Sequence, residues 1–174
     1  MAAWAEKGGI ISRGVLLDYV AWAEAKGIEI KAFTSTSIPV SVLQEIATSQ
    51  GTTLKKGDIL FIRTGWIRSY NQLTDEGCRE LAAMSNPPAI GLESSESTLR
   101  WIWDQGFVAV AGDQPSMEAW PCQNTEYWLH EWFLAGWGLP IGELFDLEQL
   151  AEECHKRKRW SFFFSSVPLK VWLR

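Results

Sequence analysis

Residues 56–66 read Lys56-Gly57-Asp58-Ile59-Leu60-Phe61-Ile62-Arg63-Thr64-Gly65-Trp66. Lys56-Gly57-Asp58 is a turn, and the four apolar residues after it run without alternation. A half-exposed strand would alternate with period two. A continuous run is a strand buried on both faces, as in a parallel sheet covered by helices. A second such run, Phe107-Val108-Ala109-Val110-Ala111, ends at Gly112-Asp113. Short apolar runs alternating with amphipathic stretches are the α/β pattern.

Working outward, Gly14–Leu17 is expected as a strand, followed by a helix from Asp18 to Lys26 that stops at Gly27. A second helix is expected from Pro39 to Gln50, since proline suits a first helical turn and Gly51 an end. Further helices are expected over 75–84, from a Ser95 cap to Gln105, from Asn124 or Thr125 to Trp137, and from an Asp146 cap to Lys156. Strands are expected at Ala89–Leu92, Leu139–Leu144 and Trp160–Phe164. No repeat, linker or composition shift divides the 174 residues, so one domain is expected.

A net charge of −5 gives no basic surface to displace counterions from a nucleic acid. The one basic run, His155 to Arg159, falls at a helix end where cations complement the dipole, and a solvated helix end accounts for it. Three widely spaced cysteines form neither a disulfide framework nor a zinc spacing, which suits a reducing compartment. With no signal-length apolar segment and no membrane-length run, the expectation is a cytoplasmic protein without nucleic-acid or membrane partners. The eleven tryptophans fall in helical or apolar contexts, which favours packing over a row of sugar-stacking platforms.

Only two histidines exist, His130 and His155. His130 sits among Tyr127, Phe133 and Leu134 on one helical face, where it is either a hydrogen-bonded core residue or a ligand. Glu143 lies in the apolar segment Leu139-Pro140-Ile141-Gly142-Glu143-Leu144-Phe145. A carboxylate there needs a metal, a cation such as Arg63 or Arg13, or a full set of hydrogen bonds. Imidazole and carboxylate are a workable pair for zinc or manganese. Asp113, Arg63 and Trp66 each follow a buried strand, the position where open α/β sheets bind ligands, though each could equally be a turn cap.

The blocks GGIISRGVLLDY, GDILFIRTGW, FVAVAGDQPSMEAW, LHEWFLAGWGLPIGELFDLEQLAEEC and SFFFSSVPL resemble, in order, consecutive blocks of the cyclase family, whose best-known members are kynurenine formamidases. The wording is closest to the family's fungal branch and spans residues 4–169. The resemblance implies a swivelling β/β/α fold with a mixed sheet and one or two divalent metals. It also implies hydrolysis of N-formylkynurenine or a related formamide or cyclic amide, and a homo-oligomer. His130 and Glu143 match the family's late metal-ligand pair, with a spacing one residue longer than in the bacterial enzymes. Arg63, Trp66 and Asp113 fall in blocks near the substrate pocket.

The family's main metal motif, two histidines and an aspartate followed by a catalytic histidine, lies upstream of the first block, and this chain has no histidine before His130. Lys170-Val171-Trp172-Leu173-Arg174 stands where a Pro- and Asn-rich tail normally follows. The expectation is therefore an N-terminally truncated member whose zinc or manganese is weakly bound or absent. Two functions follow: a metal-dependent amide hydrolase, or a catalytically silent homologue that binds a partner or forms a subunit.

Overall fold

The structure is a computed structural model and describes Trp4 and residues 6–167. The tail Lys170–Arg174 lies outside the described residues. The elements run β1 (Ile10–Asp18), α1 (Tyr19–Ala25), β2 (Ser37–Ile38), α2 (Val40–Ser49), β3 (Ile59–Arg63), α3 (Trp66–Asn71) and α4 (Asp75–Ala83). They continue with β4 (Gly91–Leu92), α5 (Glu96–Gln105), β5 (Ala109–Gly112), a π-helix (Glu131–Trp137), β6 (Ile141–Gly142), α6 (Glu148–Arg157) and β7 (Ser161–Ser166). This is a mixed α/β fold.

The main sheet has the order β6-β5-β3-β1-β7. β1, β3, β5 and β6 run parallel, and β7 pairs antiparallel to β1. The continuous apolar runs are explained by cover on both faces. Val15, Leu17, Leu60, Ile62 and Val110 point into one core with α1, α2 and α5. Leu16, Ile59, Phe61, Ala109 and Ala111 point into a second core with α6 and β7. Phe61 is held there by ring contacts at 4.9–5.8 Å with Phe164, Phe162 and Phe145.

The helix ends follow their local chemistry. Asp18 caps α1 by accepting from the Ala21 N–H, and Ser95 caps α5 by accepting from Thr98. The strand expected from Phe107 begins only at Ala109, with Val108 46% exposed ahead of it, and two further expected elements come out differently. The helix from Asn124 or Thr125 to Trp137 is a single 3-10 turn (Thr125–Tyr127), a break at Trp128, and then helix that widens to π geometry over Glu131–Trp137. Trp128 turns extended (ψ 110°) while its ring packs on Trp120, so tertiary packing overrides helical propensity. The strand expected over Leu139–Leu144 shrinks to Ile141–Gly142, because Leu144 adopts a left-handed φ of 56° and ends it. The helix α3 and the short β2 carry no strong local signal in the sequence.

No helix among the described residues is long and apolar enough to cross a membrane. Trp4, Trp103 and Trp132 are exposed, and Trp103 and Trp132 tilt by 57° and 59° against Trp137, so this cluster forms no flat platform. His155 is more than a solvated helix end: its Nε2 lies 3.1 Å from Asp18 and its ring meets Trp160 edge-on.

Candidate metal and substrate site

After β5 the chain turns through Asp113–Ser116 and runs as Met117–Ala119 beside β4. The Leu92 N–H donates to the Met117 carbonyl at 2.8 Å, and the Ala119 N–H donates to the Leu92 carbonyl at 2.8 Å. Gly91 permits this approach, since a Cβ there would run into the Glu118 carbonyl. The result is a fully buried Glu118 carboxylate facing His130 at the start of the π-helix. π-Helical segments recur at functional sites because the wider turn re-aims a side chain.

His130 lies between two carboxylates. Its Nδ1 is 2.8 and 2.9 Å from the Glu118 oxygens, and its Nε2 is 3.2 Å from Glu143 Oε1. The Glu143 oxygen also accepts from the Met117 N–H at 2.9 Å. Hydrogen bonds to Glu118 and then Glu143 push the imidazole pKa up to about 10, against burial, which lowers it. With no metal bound, His130 is an imidazolium at neutral pH.

A divalent ion, the group the fold family implies, can be tested against these donors. Two ligands 3.2 Å apart can both lie within about 2.1 Å of one ion, the usual zinc–nitrogen and zinc–oxygen distance. Glu118 on Nδ1 supplies the carboxylate that characteristically orients a metal-bound histidine. His130 Nε2 and Glu143 therefore fit as two ligands, with Glu118 behind the ring and out of reach of the ion. Among the described residues no group of three or more His, Cys, Asp or Glu side chains is placed to hold a metal.

The structure uses the other sequence candidates differently. Arg63 is buried, with a bidentate pair to Glu148 at 2.6 and 2.8 Å and a pair to Asp18 at 3.1 Å, so its guanidinium joins the ends of β1, β3 and α6. These carboxylates hold its pKa above the ordinary arginine value despite its burial. Arg13 pairs with Asp58, so neither arginine meets Glu143. Asp113 is fully buried and accepts from Thr64 N–H (2.6 Å), Thr64 Oγ1 (2.7 Å) and Gly65 N–H (2.8 Å). Burial pushes its carboxyl pKa up, and those donors pull against it.

Through those donors Asp113 fixes the loop that starts α3, and α3 begins with Trp66. Trp66 lines a cavity of about 300 Å³ with Tyr70, Pro115 and Leu144, the last being the neighbour of Glu143. Glu118 was missed in the sequence. Its signal was a lone carboxylate between Met117 and Ala119, the same feature that singled out Glu143.

The comparisons agree with this architecture. Residues 5–119 match the cyclase family model, described as "Putative cyclase", and the chain belongs to that family. It superposes on a crystal structure of a novel cyclase with a TM-score of 0.78 at 30% identity, covering 95% of this chain and 50% of that one. Isatin hydrolase A from Labrenzia aggregata, bound to benzyl benzoate, gives a TM-score of 0.64 at 15% identity, over 96% of this chain and 57% of that one. Isatin hydrolase A from Ralstonia solanacearum gives 0.55 at 15%, over 80% and 49%. These two share the fold. The chain spans about half the length of these solved relatives. No curated protein matches the sequence.

Proposed function

We propose that this chain carries part of the centre of a metal-dependent amide hydrolase of the kynurenine formamidase type, acting in the cytosol on N-formylkynurenine or a related formamide or cyclic amide. The carrying observation is the Glu118–His130–Glu143 arrangement, with a buried carboxylate on one imidazole nitrogen and a half-buried one at the other. His130 and Glu143 would hold zinc or manganese, which when bound polarises a carbonyl and activates water. Glu118 fixes the ring and keeps a proton on Nδ1, so that Nε2 is the free donor. The Met117 N–H holds Glu143 in place. Trp66 lines the cavity that Leu144 also lines, and Arg63 and Asp113 would serve it only by holding the strand ends and the loop that starts α3.

A second reading, a catalytically silent homologue that binds or forms a subunit, draws on one feature: both His130 nitrogens are already satisfied by carboxylates. A catalytic zinc also needs about three protein ligands. Zinc uptake measured by elemental analysis after dialysis should be well under one ion per chain and should vanish in His130→Ala. Tight stoichiometric metal in that variant sinks the ligand assignment. With metal added, this chain alone should form kynurenine no faster than a blank. Chelator-sensitive turnover would show that other residues of the chain complete the centre.

A further inference from the structure

Among the described residues, two that are not glycine hold a left-handed backbone, Lys158 at φ 48° and Leu144 at φ 56°. Lys158 closes α6, and helices commonly end in that conformation. Leu144 closes no helix. It follows Glu143 and the two-residue strand β6, and it is 53% exposed, so burial of the leucine side chain does not explain the conformation. Backbone strain of this kind persists where the surrounding structure over-determines it.

What over-determines Leu144 is a change of face. Along an extended chain, residues two apart share one side of the sheet. Ile141 packs on the core that holds Leu129 and Phe133, which flank His130 in sequence, and Glu143 meets His130 Nε2 at 3.2 Å. Extended backbone would carry Phe145 to that side as well. Phe145 packs instead on the opposite core, 5.8 Å from Phe61, and folds back over Gly142, where a Cβ would run into its ring. The hydrogen bonds record the same reversal. Leu144 N–H donates to the Gln114 carbonyl at 3.2 Å, and Phe145 N–H donates to the Gly112 carbonyl at 3.1 Å. In a strand, successive N–H groups point to opposite edges, so two neighbours do not both reach one adjoining segment. The left-handed residue turns both toward the end of β5.

We infer that Leu144 is the positioning residue for Glu143: its left-handed turn anchors Phe145 on one face of the sheet and presents Glu143 to His130 on the other. The Met117 N–H steadies the carboxylate at 2.9 Å, and the turn steadies the backbone that carries it. The inference rests on the metal reading for its consequence, while the imidazole–carboxylate contact that the turn sets up exists without a metal.

The test is a calorimetric zinc titration of the full chain. Leu144→Gly keeps the turn, because glycine accepts a positive φ, and should leave the zinc Kd within two-fold and the melting temperature unchanged. Leu144→Pro locks φ at about −65° and excludes the turn, so its Kd should rise about ten-fold, toward that of Glu143→Ala. Leu144→Thr, whose β-branch disfavours positive φ, should raise Kd about five-fold and covers the case in which the proline variant does not fold. In a Glu143→Ala background neither change should move the Kd by more than two-fold, since the turn acts through that carboxylate. Wild-type affinity in Leu144→Thr and Leu144→Pro, a loss in Leu144→Gly, or an equal further loss in the Glu143→Ala background overturns the inference. A wild type that binds no zinc defeats the metal reading, and the turn is then read without metal. His130→Gln and Glu143→Gln should be coupled in urea midpoint at pH 7 in wild type and in Leu144→Gly, and independent in Leu144→Thr. Coupling that survives in Leu144→Thr overturns the inference.

Discussion

His130 lies between two carboxylates, and that environment sets a definite pH behaviour. An unfolded histidine titrates near 6.5, whereas His130 between Glu118 and Glu143 titrates at about 10. The folded state thus binds the proton more tightly. The resulting stabilisation is complete below about pH 6.5, declines above it, and is lost as pH rises through about 10. For the metal-free chain, the gap in urea midpoint between wild type and His130→Gln should be widest near pH 6 and close above pH 10. A gap that widens with pH would mean that the imidazole is neutral in the folded state. Glu118→Gln tests the positioning role. Removing an orienting carboxylate from a metal-bound histidine typically costs about 10–100-fold in affinity, and calorimetry with zinc should show a loss of that size. Unchanged affinity would make Glu118 a packing residue alone.

At the scale of elements, the site depends on how closely Met117–Ala119 lies against β4. That approach is set by Gly91, whose missing Cβ leaves room for the Glu118 carbonyl. Gly91→Ala must push backbone rather than a flexible side chain. It should cost about 1–3 kcal/mol, the usual range for overpacking, and weaken zinc uptake by displacing Glu118. Gly77→Ala in α4 is the control, because its Cβ meets only side-chain atoms, of Leu73 at 3.3 Å and of Thr74 at 3.6 Å. That variant should stay within about 1 kcal/mol of wild type, since alanine is the better helix former. Denaturant melts of the two decide the point; equal stability would show that β4 and the Glu118 segment are not tightly coupled.

For the whole molecule, both sheet edges are informative. β6 is two residues long, and β7 reads Ser161-Phe162-Phe163-Phe164-Ser165-Ser166, without a charge or a proline. Natural edge strands carry charges, prolines or bulges that discourage pairing with another chain. Phe163 is 76% exposed on β7, with Ile11 62% exposed on the neighbouring β1. We expect the isolated chain to sediment at low micromolar concentration as a dimer or larger species, or to bind a hydrophobic dye. A single sharp monomer boundary without dye binding would show that these surfaces need no cover. Phe163→Lys should shift any assembly toward monomer if β7 is the contact.

The sequence alone determined the elements with strong local signals. Ile59–Ile62 announced a strand buried on both faces, Ala109–Ala111 announced the inner part of a second, and Asp18, Pro39, Ser95 and Gly106 placed helix ends, because capping and burial are decided within a few residues. The pairing of His130 with Glu143 was legible because few residues could carry the chemistry. Tertiary structure decided the rest. Glu118 joins the site only through the approach of β4, Arg63 and Asp113 meet partners 85 and 49 residues away in sequence, and Leu144 is turned left-handed by bonds to Gln114 and Phe145 to Gly112. Which carboxylate is paired with an arginine and which with an imidazole is a matter of distances between elements far apart in the chain. Neither period nor propensity encodes those distances, and packing alone sets them.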